Sequence, residues 1–198
     1  MKIGKNILEG LKNFMKFNQS LINFLAKRDT DIAEHIPIFC KLVKKYKPKV
    51  LVELGRGQST FVFATLMKDL GQFYSIDFNR KSVCRLFPEG GKLMLGLNRM
   101  KHVHFIDGDD MDIVKTWDKD IDILFIDTSH TYEHTKGELN TWCKHVSGVV
   151  ILHDTDHKDP IFVGCRKALD EFLLENKGYT VEHIKDKIGC GLSILIKK

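Results

Sequence analysis

VLVELGRGQST, residues Val50–Thr60, is the stretch that decides the fold of this chain. Its apolar first half predicts a buried strand, and this strand reaches an acidic residue at Glu53. The chain then turns through Gly55 and Gly57, and a helix is expected to begin near Ser59. Glycines let a ligand approach the backbone closely, and the first turn of a helix offers exposed N–H donors. The sequence therefore predicts a ligand site at the end of this strand.

A second apolar run, 73–76, ends in Asp77. An acid at this distance from the glycine turn is placed to accept hydrogen bonds from both hydroxyls of a ribose. Together the two segments predict a nucleoside-bearing cofactor that lies across the ends of two neighbouring parallel strands.

Strands and helices alternate from Val50 onward. Parallel strands are expected at 49–54, 72–77, 102–106, 121–126 and 149–152, and helices at 59–70, 79–86, 109–117, 131–146 and from 160 to before Gly178. The last two strands, 179–186 and 191–197, are too close in sequence for a parallel crossover and must form a hairpin. The predicted fold class is α/β: a Rossmann-like doubly wound sheet of five parallel strands plus a C-terminal antiparallel hairpin, with helices on both faces.

Two extra helices are expected before this sheet, over 4–27 and 31–46, and Pro48 ends the second one. We therefore predict an N-terminal helical appendage over 1–47 and a Rossmann-like domain over 48–198. The appendage can be a structural layer, a lid or a dimer contact, so a homodimer is one expectation.

The composition, with 43% hydrophobic and 29% charged residues, is that of a soluble globular protein. Five scattered cysteines without metal-site spacing are typical of idle thiols in a reducing compartment, so a cytoplasmic location is expected. No apolar run approaches the roughly 20 residues that span a bilayer, and no signal peptide is recognised. The net charge of +5 indicates either a solvated lysine-rich helix end or a weak attraction for an anionic partner.

Acidic residues follow all five expected parallel strands, at the edge of the sheet where ligands bind. They are Glu53, Asp77, Asp107–Asp110, Asp127 and the pair His153–Asp154. Neighbouring carboxylates repel one another unless a ligand, a cation or a hydrogen-bond donor compensates. Each acid taken singly can cap a helix or belong to a turn, but the whole set predicts one shared binding site.

The motifs at these strand ends resemble those of a known family. They read Val-Glu-Leu-Gly-x-Gly-x-Ser-Thr at 52–60, Ser-Ile-Asp at 75–77, Gly-Asp at 108–109, Phe-Ile-Asp-x-x-His-x-Tyr-Glu at 125–133 and His-Asp-Thr at 153–155. This order resembles the class I S-adenosylmethionine-dependent methyltransferases. It is most similar to their small-molecule O-methyltransferase branch, which includes antibiotic- and sugar-modifying members and cephalosporin-hydroxylase-like proteins. The resemblance covers 48–198, and the last two motifs are its most specific part.

The resemblance implies that S-adenosylmethionine is the cofactor. The implied cofactor-binding residues are Glu53, Gly55, Gly57, Ser59, Thr60, Asp77, Gly108 and Asp109. The glycine turn would take the methionine end, with Glu53 behind it and with Ser59 and Thr60 as its supports. Asp77 would hold the ribose, and Gly108 and Asp109 would flank the adenine. Arg56 would either meet the cofactor carboxylate or lie on the surface.

The resemblance also implies a chemistry for the acceptor. Related enzymes often hold a divalent cation, Mg²⁺ or Mn²⁺, between an acid after the fourth strand and an acidic pair after the fifth. Those positions are Asp127, His153 and Asp154 here, and the histidine shifts the preference toward manganese, iron or zinc, or argues for no metal. Asp127 would also lie near the sulfonium and the acceptor. Ser129 stands where many relatives have an acid, so His130 is the favoured general base.

Other assignments stay open at this point. A nicotinamide-dependent (NAD) oxidoreductase would place glycine at Thr60 and keep the first strand apolar at Glu53. The basic charge suggests a nucleic-acid methyltransferase, but the Asp/Asn-Pro-Pro-aromatic motif of amino-methylating DNA enzymes is missing after the fourth strand. Ser129 is compatible with a catalytically idle S-adenosylmethionine-binding protein. We expect a hydroxyl of a small molecule or saccharide as acceptor, and no nucleic-acid partner. The remaining histidines are expected to be structural or exposed: His102, His104, His134, His145 and His183.

Overall fold

The computed structural model describes residues 19–78, 97, 100–157 and 162–198. The strands are β1 (Val50–Leu54), β2 (Gln72–Asp77), β3 (Val103–Asp107), β4 (Ile121–Ile126), β5 (Val146–His153), β6 (Tyr179–Ile184) and β7 (Leu192–Lys197). The helices are α1 (Asp31–Tyr46), α2 (Gln58–Leu66), α3 (Asp110–Ile113), α4 (Tyr132–Trp142) and α5 (Val163–Glu175). Residues 19–25 are also helical, and the 3-10 turns Val114–Thr116 and Cys143–His145 extend α3 and α4.

The seven strands form one sheet in the order β3–β2–β1–β4–β5–β7–β6. β1 to β5 are parallel, and β7 lies antiparallel between β5 and β6. The predicted fold class, with its five parallel strands and terminal hairpin, is therefore confirmed. The strand order reverses at β1, which pairs with β2 on one side and β4 on the other. In sheets of this type the ligand crevice lies at such a switch point.

Apolar layers cover both faces of the sheet, which is why β4 and β5 are almost continuously apolar. One layer joins α1 and α2 to the sheet, with Phe39 and Phe63 buried in it. The other joins α4 and α5 to the opposite face, with Leu139 and Leu169 buried in it. Helices on both faces were predicted and are found.

Helix α1 is built into the first of these layers. Its N-cap is Thr30, whose hydroxyl accepts a hydrogen bond from the backbone N–H of Ala33 at 3.2 Å. The Phe39 ring lies 5.0 Å from the Phe63 ring and 5.2 Å from the Phe125 ring, centroid to centroid. Five of its large apolar side chains are buried: Ile32, Ile36, Phe39, Leu42 and Val43. The helix thus shares its core with the sheet, and the division at residue 47 remains a prediction.

Some element bounds differ from the expectations. α2 ends at Leu66 rather than near 70, and α4 gives way to a 3-10 turn after Trp142. That turn leads straight into β5, which begins three residues earlier than predicted, at Val146. The helix expected at 79–86 and most of the one expected over 4–27 lie outside the described residues, as does the predicted helix start at Asp159–Pro160.

Backbone hydrogen bonds continue past the ends of the parallel strands and bring their loops together. The Gly55 N–H donates to the Ile76 carbonyl at 2.9 Å, and the Asp127 N–H donates to the Leu54 carbonyl at 2.9 Å. The Gly108 N–H donates to the Asp77 carbonyl at 3.0 Å. The acids that follow β2 and β4 are therefore held at one edge of the sheet, on either side of the turn after β1.

The composition predicted idle thiols and no membrane-spanning segment. Cys40, Cys143, Cys165 and Cys190 are free thiols, and the last three are buried. Cys84 lies outside the described residues. Among the described helices, none is long and apolar enough to cross a membrane.

Candidate functional site

A cavity of about 500 Å³ opens at the carboxyl ends of β1 to β4, beside the turn after β1. This volume suits a ligand of cofactor size. Four of the eight predicted cofactor-binding residues line it: Gly55, Asp77, Gly108 and Asp109. Asp127, the predicted residue near the acceptor, lines it as well.

Gly55 determines how close the first turn lies to the end of β4. Its φ is +88°, and a side-chain methyl there would overlap the carbonyl oxygen of Asp127. Only glycine adopts this backbone conformation without strain and leaves room for that carbonyl. The close packing of the two loops therefore depends on a residue without Cβ.

Glu53 lies behind the turn and does not line the cavity. Its side chain is fully buried, and its two carboxylate oxygens accept hydrogen bonds from Ser59 at 2.6 Å, Thr60 at 2.7 Å and Ser75 at 2.6 Å. Burial raises the pKa of Glu53 to about 7 against the opposing effect of these hydroxyls. The Thr60 hydroxyl also accepts from the Gly57 N–H at 3.0 Å. Glu53 thus ties β1, the start of α2 and β2 together beneath the turn.

Arg56 closes the bottom of the cavity, and its side chain is neither on the surface nor free to bind a ligand. It is 4% exposed, and its guanidinium donates to the carbonyls of Ser75 at 2.7 Å and Ile106 at 3.0 Å. It also forms an ion pair with Asp107 at 3.0 Å. The Arg56 backbone N–H donates to the Asp77 carboxylate at 2.8 Å, which orients that acid at the cavity.

A second group of titratable residues forms the wall of the cavity near α3 and α4. His134 Nε2 lies 2.9 Å from Asp110 Oδ1 and 3.6 Å from Glu138 Oε1. The hydrogen bond with Asp110 raises the pKa of His134 to about 9, and burial raises the pKa of Glu138 to about 8. His134 was expected to be structural or exposed, but it lines the cavity. Asp109 lines it too and also caps α3, with its carboxylate accepting from the Met111 N–H at 2.9 Å.

The predicted catalytic and metal residues meet next to the cavity. His130 Nδ1 and His153 Nδ1 lie 2.9 Å and 3.0 Å from the same oxygen of Asp154, Oδ2. Asp127 Oδ1 lies 3.6 Å from His153 Nδ1 and 4.0 Å from His130 Nε2. We call these four residues the His–Asp cluster. All four predicted positions therefore belong to one connected set of contacts, although they come from the ends of two different strands.

Unusual backbone conformations hold two members of the His–Asp cluster. His130 has a φ of +60° and Asp154 has a φ of +57°. A left-handed residue other than glycine costs on the order of 1–3 kcal/mol and persists only where the surroundings enforce it. The side chains of these two residues are in contact, and backbone strain of this kind is concentrated at functional sites.

The charges within the His–Asp cluster depend strongly on one another. Burial alone would lower the pKa of His130, but the hydrogen bond with Asp154 and the nearby Asp127 carboxylate raise it to about 10. Burial would likewise lower the pKa of His153, yet the two carboxylates raise it to about 9. The pKa of Asp154 is lowered by both histidines despite its burial, and that of Asp127 is raised by burial. Without a further cation, both histidines are therefore protonated at neutral pH.

A divalent cation fits at the His–Asp cluster, because the ligand atoms of Asp127, His130 and Asp154 lie within 4.8 Å of one another, as do those of Asp31, His153 and Asp154. His153 is 1% exposed, and its Nδ1 makes no aligned hydrogen bond although two carboxylate oxygens lie within 3.6 Å. A buried polar atom rarely stays unpaired, because losing its hydration costs free energy. A cation that took the place of the proton on His153 Nδ1 would satisfy this nitrogen and neutralise the carboxylates of Asp127 and Asp154.

Several residues of the site were not predicted from sequence. Phe78, 78% exposed, follows the acid of β2 and lines the cavity, and an aromatic residue directly after that acid was the available signal. Thr128 lines the cavity and donates from its hydroxyl to Glu138 at 2.7 Å. The pairing of Thr128 with Glu138 depends on how α4 packs, and no short motif indicates it.

Solved structures of methyltransferases resemble this fold over most of its length. The Bacillus cereus O-methyltransferase, in complex with SAH, matches with a TM-score of 0.65 and 16% identity, over 95% of this chain and 90% of that one. The O-methyltransferase TomG of Streptomyces achromogenes, in complex with SAM, matches with a TM-score of 0.62 and 19% identity, over 81% and 78%. The SAH-bound methyltransferase PaMTH1 of Podospora anserina matches with a TM-score of 0.61 and 17% identity, over 91% and 87%. At these identities the likeness establishes the fold.

Family membership is established by sequence. The family model described as a methyltransferase domain matches residues 52–155, more than half of the chain, and the chain belongs to this family. No curated protein matches the sequence. The prediction of a class I S-adenosylmethionine-dependent methyltransferase is confirmed, and the alternative of a nicotinamide-dependent oxidoreductase is wrong.

Proposed function

We propose that this methyltransferase moves the methyl group of S-adenosylmethionine to a hydroxyl of a small molecule or saccharide, with a divalent cation in the His–Asp cluster. The observation that carries the proposal is the position of Asp127. This one residue lines the cavity and also faces His153 and His130. A methyl donor in the cavity and an acceptor at the cluster would therefore meet at Asp127. Two neighbours that are named O-methyltransferases agree with a hydroxyl acceptor.

The cavity supplies what a nucleoside cofactor needs. Asp77 offers a carboxylate at the end of β2 for the ribose hydroxyls, and the Gly55 turn offers close backbone approach for the methionine end. Gly108 and Asp109 would flank the adenine from the loop after β3. Four further residues would not touch the cofactor but would hold the Gly55 turn in shape through their hydrogen bonds. They are Glu53, Gly57, Ser59 and Thr60.

Methyl transfer from a sulfonium needs alignment and the removal of one proton. The sulfonium methyl is already activated, so the protein must hold the acceptor oxygen in line at about 3 Å and take its proton. A cation held by Asp127, His153 and Asp154 would lower the pKa of a bound hydroxyl. This ligand set contains an imidazole, which favours manganese, iron or zinc over magnesium.

His130 is the proposed base, and its protonation links it to the cation. The His130 side chain is partly exposed beside Asp154 and lies 4.0 Å from Asp127. With a pKa of about 10 it would hold its proton at neutral pH and could not accept another. A cation would neutralise the two carboxylates that raise this pKa, so His130 would become neutral and able to act as a base.

Calorimetry on three proteins tests the proposal. S-adenosylmethionine is titrated into the native protein and into the Asp77→Ala and Asp127→Ala variants, each with EDTA and with Mn²⁺ or Mg²⁺. We expect Asp77→Ala to lose cofactor affinity under both conditions. Asp127→Ala should lose any effect of the metal. Equal cofactor binding by the native protein and Asp77→Ala would contradict the assignment of the cavity.

Two alternatives remain to be separated by experiment. A catalytically idle protein would bind S-adenosylmethionine but never produce S-adenosylhomocysteine, so turnover with a panel of hydroxylated acceptors decides this point. A nucleic-acid methyltransferase would show salt-sensitive binding to RNA or DNA, because phosphate contacts release counterions. The proposal expects turnover and no such binding.

A further inference from the structure

His35 is a buried histidine of α1 that connects the His–Asp cluster to the β6–β7 turn. It is 1% exposed, and its Nδ1 lies 3.1 Å from His153 Nε2. Its other nitrogen, Nε2, lies 3.1 Å from Asp186 Oδ2, an electrostatic contact without the alignment of a hydrogen bond. A row of contacts therefore runs from Asp186 through His35 and His153 to Asp154. The first two of these residues belong to neither the cavity nor the predicted site.

Asp186 is held in its charged form by the turn that carries it. Its carboxylate accepts hydrogen bonds from three successive backbone N–H groups: Gly189, Cys190 at 3.1 Å and Gly191 at 2.7 Å. Burial would raise the pKa of Asp186, but these hydrogen bonds lower it. The side chain is only 2% exposed, so its negative charge faces His35 and is not shielded by water.

The charge of Asp186 decides which nitrogen of His35 carries the proton. The negative charge of this carboxylate, 3.1 Å away, disfavours a lone pair on Nε2 and favours a proton there. His35 Nδ1 is then the unprotonated nitrogen. It accepts a hydrogen bond from the Nε2–H of His153, its partner among the described contacts. His153 in turn is left with Nδ1 facing Asp127 and Asp154.

We propose that His35 and Asp186 are positioning residues that fix the proton of His153 on Nε2 and so present Nδ1 to the cation. The cation half of this inference rests on the proposed function. Histidines that bind metals commonly donate their other N–H to a fixed partner, which sets the tautomer and the ring orientation. Here that partner is a second histidine, held by a carboxylate of a different element.

Neighbouring contacts hold the rings of His35 and His153 and the β6–β7 turn in place. The His35 and His153 rings meet edge to face with their centroids 5.0 Å apart, and Phe39 and Phe125 flank them at 6.4 Å each. The Glu34 carboxylate, one residue before His35, accepts a hydrogen bond from the backbone N–H of Lys187 at 2.9 Å. Helix α1 and the β6–β7 turn therefore act on His153 as one unit.

Nuclear magnetic resonance of the metal-free native protein at pH 7 tests the positioning half. Long-range ¹H–¹⁵N correlations of the imidazole rings distinguish the protonated from the unprotonated nitrogen. We expect His35 to carry its proton on Nε2 and to have an unprotonated Nδ1. A proton on Nδ1 of His35 would overturn the inference, because His153 would then have to accept at Nε2. This measurement needs neither methyl transfer nor a bound cation.

Metal affinity tests the cation half. Zn²⁺ and Mn²⁺ are titrated into the native protein, His35→Phe, His35→Gln and a control, His102→Phe. His102 is a half-buried histidine that binds the carbonyl of Ala64 at 2.8 Å and has no contact with the cluster. We expect His35→Phe to weaken binding by about 10- to 100-fold. His35→Gln, whose amide can accept from His153 and donate to Asp186, should restore most of the affinity, and His102→Phe should leave it unchanged.

The outcomes separate this inference from the proposed function. A folded His35→Phe with native affinity, or a glutamine variant as weak as the phenylalanine variant, would overturn the positioning role. If His35→Phe does not unfold cooperatively, the native tautomer and the glutamine variant decide the question. A native protein that binds S-adenosylmethionine but no cation would overturn the proposed metal site, while the tautomer of His35 would still test the inference.

Discussion

Gly55 is the residue at which the first loop and the loop after β4 come closest. We expect Gly55→Ala to destabilise the fold by roughly 2 kcal/mol or more, because the methyl group adds left-handed strain and overlaps the Asp127 carbonyl. Affinity for S-adenosylmethionine should fall as well, since Asp127 must move. Urea unfolding and calorimetry measure the two effects. The control is Gly178→Ala, where no heavy atom lies within 4 Å of the added Cβ. Similar losses in both variants would contradict the explanation.

Glu53 makes the stability depend on pH in a direction opposite to most carboxylates. Burial raises its pKa from the ordinary value of 4.5 to about 7 in the fold. The folded state therefore keeps a proton between pH 4.5 and 7 that the unfolded chain has lost, so stability from this group is full below pH 4.5 and falls until about pH 7. Urea unfolding measures the free energy of unfolding of the native protein and of Glu53→Gln. From pH 5 to pH 8 this free energy should fall for the native protein relative to the variant. A constant difference would show that Glu53 does not titrate there.

The strand ends could be predicted from sequence because their signals are local. Apolar runs, glycines and acids within a few residues of one another led to Gly55, Asp77, Asp127 and Asp154. Partners far apart in sequence could not be found in this way. His35 contacts His153 across 118 residues, and this contact depends on where α1 packs. Nothing in the chain near His35 indicates that its ring meets another histidine.

At the level of elements, Arg56 joins β2 and β3 beneath the cavity. Its guanidinium donates to two carbonyls, to Asp107 and to the Ser75 hydroxyl, which is one acceptor more than the three N–H groups of an ammonium can serve. We expect Arg56→Lys to cost roughly 2–4 kcal/mol of unfolding free energy and to weaken cofactor binding, because the loops after β2 and β3 lose their common anchor.

Arg166→Lys is the matched control for this substitution. Arg166 pairs with Asp170 one turn further along α5, and both side chains are largely exposed. An exposed pair of this kind contributes less than about 1 kcal/mol. Denaturant unfolding of both variants therefore distinguishes the loss of the buried guanidinium and its hydrogen bonds from the general effect of exchanging arginine for lysine. If Arg56→Lys changes the unfolding free energy as little as Arg166→Lys does, the ends of β2 and β3 do not depend on the Arg56 guanidinium.

In the whole molecule, elements from the beginning, the middle and the end of the described chain meet at one site. Helix α1 contributes His35, the central strands contribute the His–Asp cluster, and the β6–β7 turn contributes Asp186. The sequence predicted each of these elements but treated 1–47 as an appendage with several possible roles. Periodicity showed which face of α1 is apolar, but it could not show that this face packs on the sheet.

Truncation tests whether α1 is part of the folding unit. Five large apolar side chains of α1 are buried, and at about 2 kcal/mol each their loss removes on the order of 10 kcal/mol, comparable to the whole stability of a domain. We expect the fragment 48–198 to lose cooperative thermal unfolding and to expose apolar surface that binds a fluorescent dye. The control is the full chain, which keeps every contact described above and should unfold cooperatively. A fragment 48–198 that unfolds cooperatively and binds S-adenosylmethionine would instead support the division into an appendage and an independent domain.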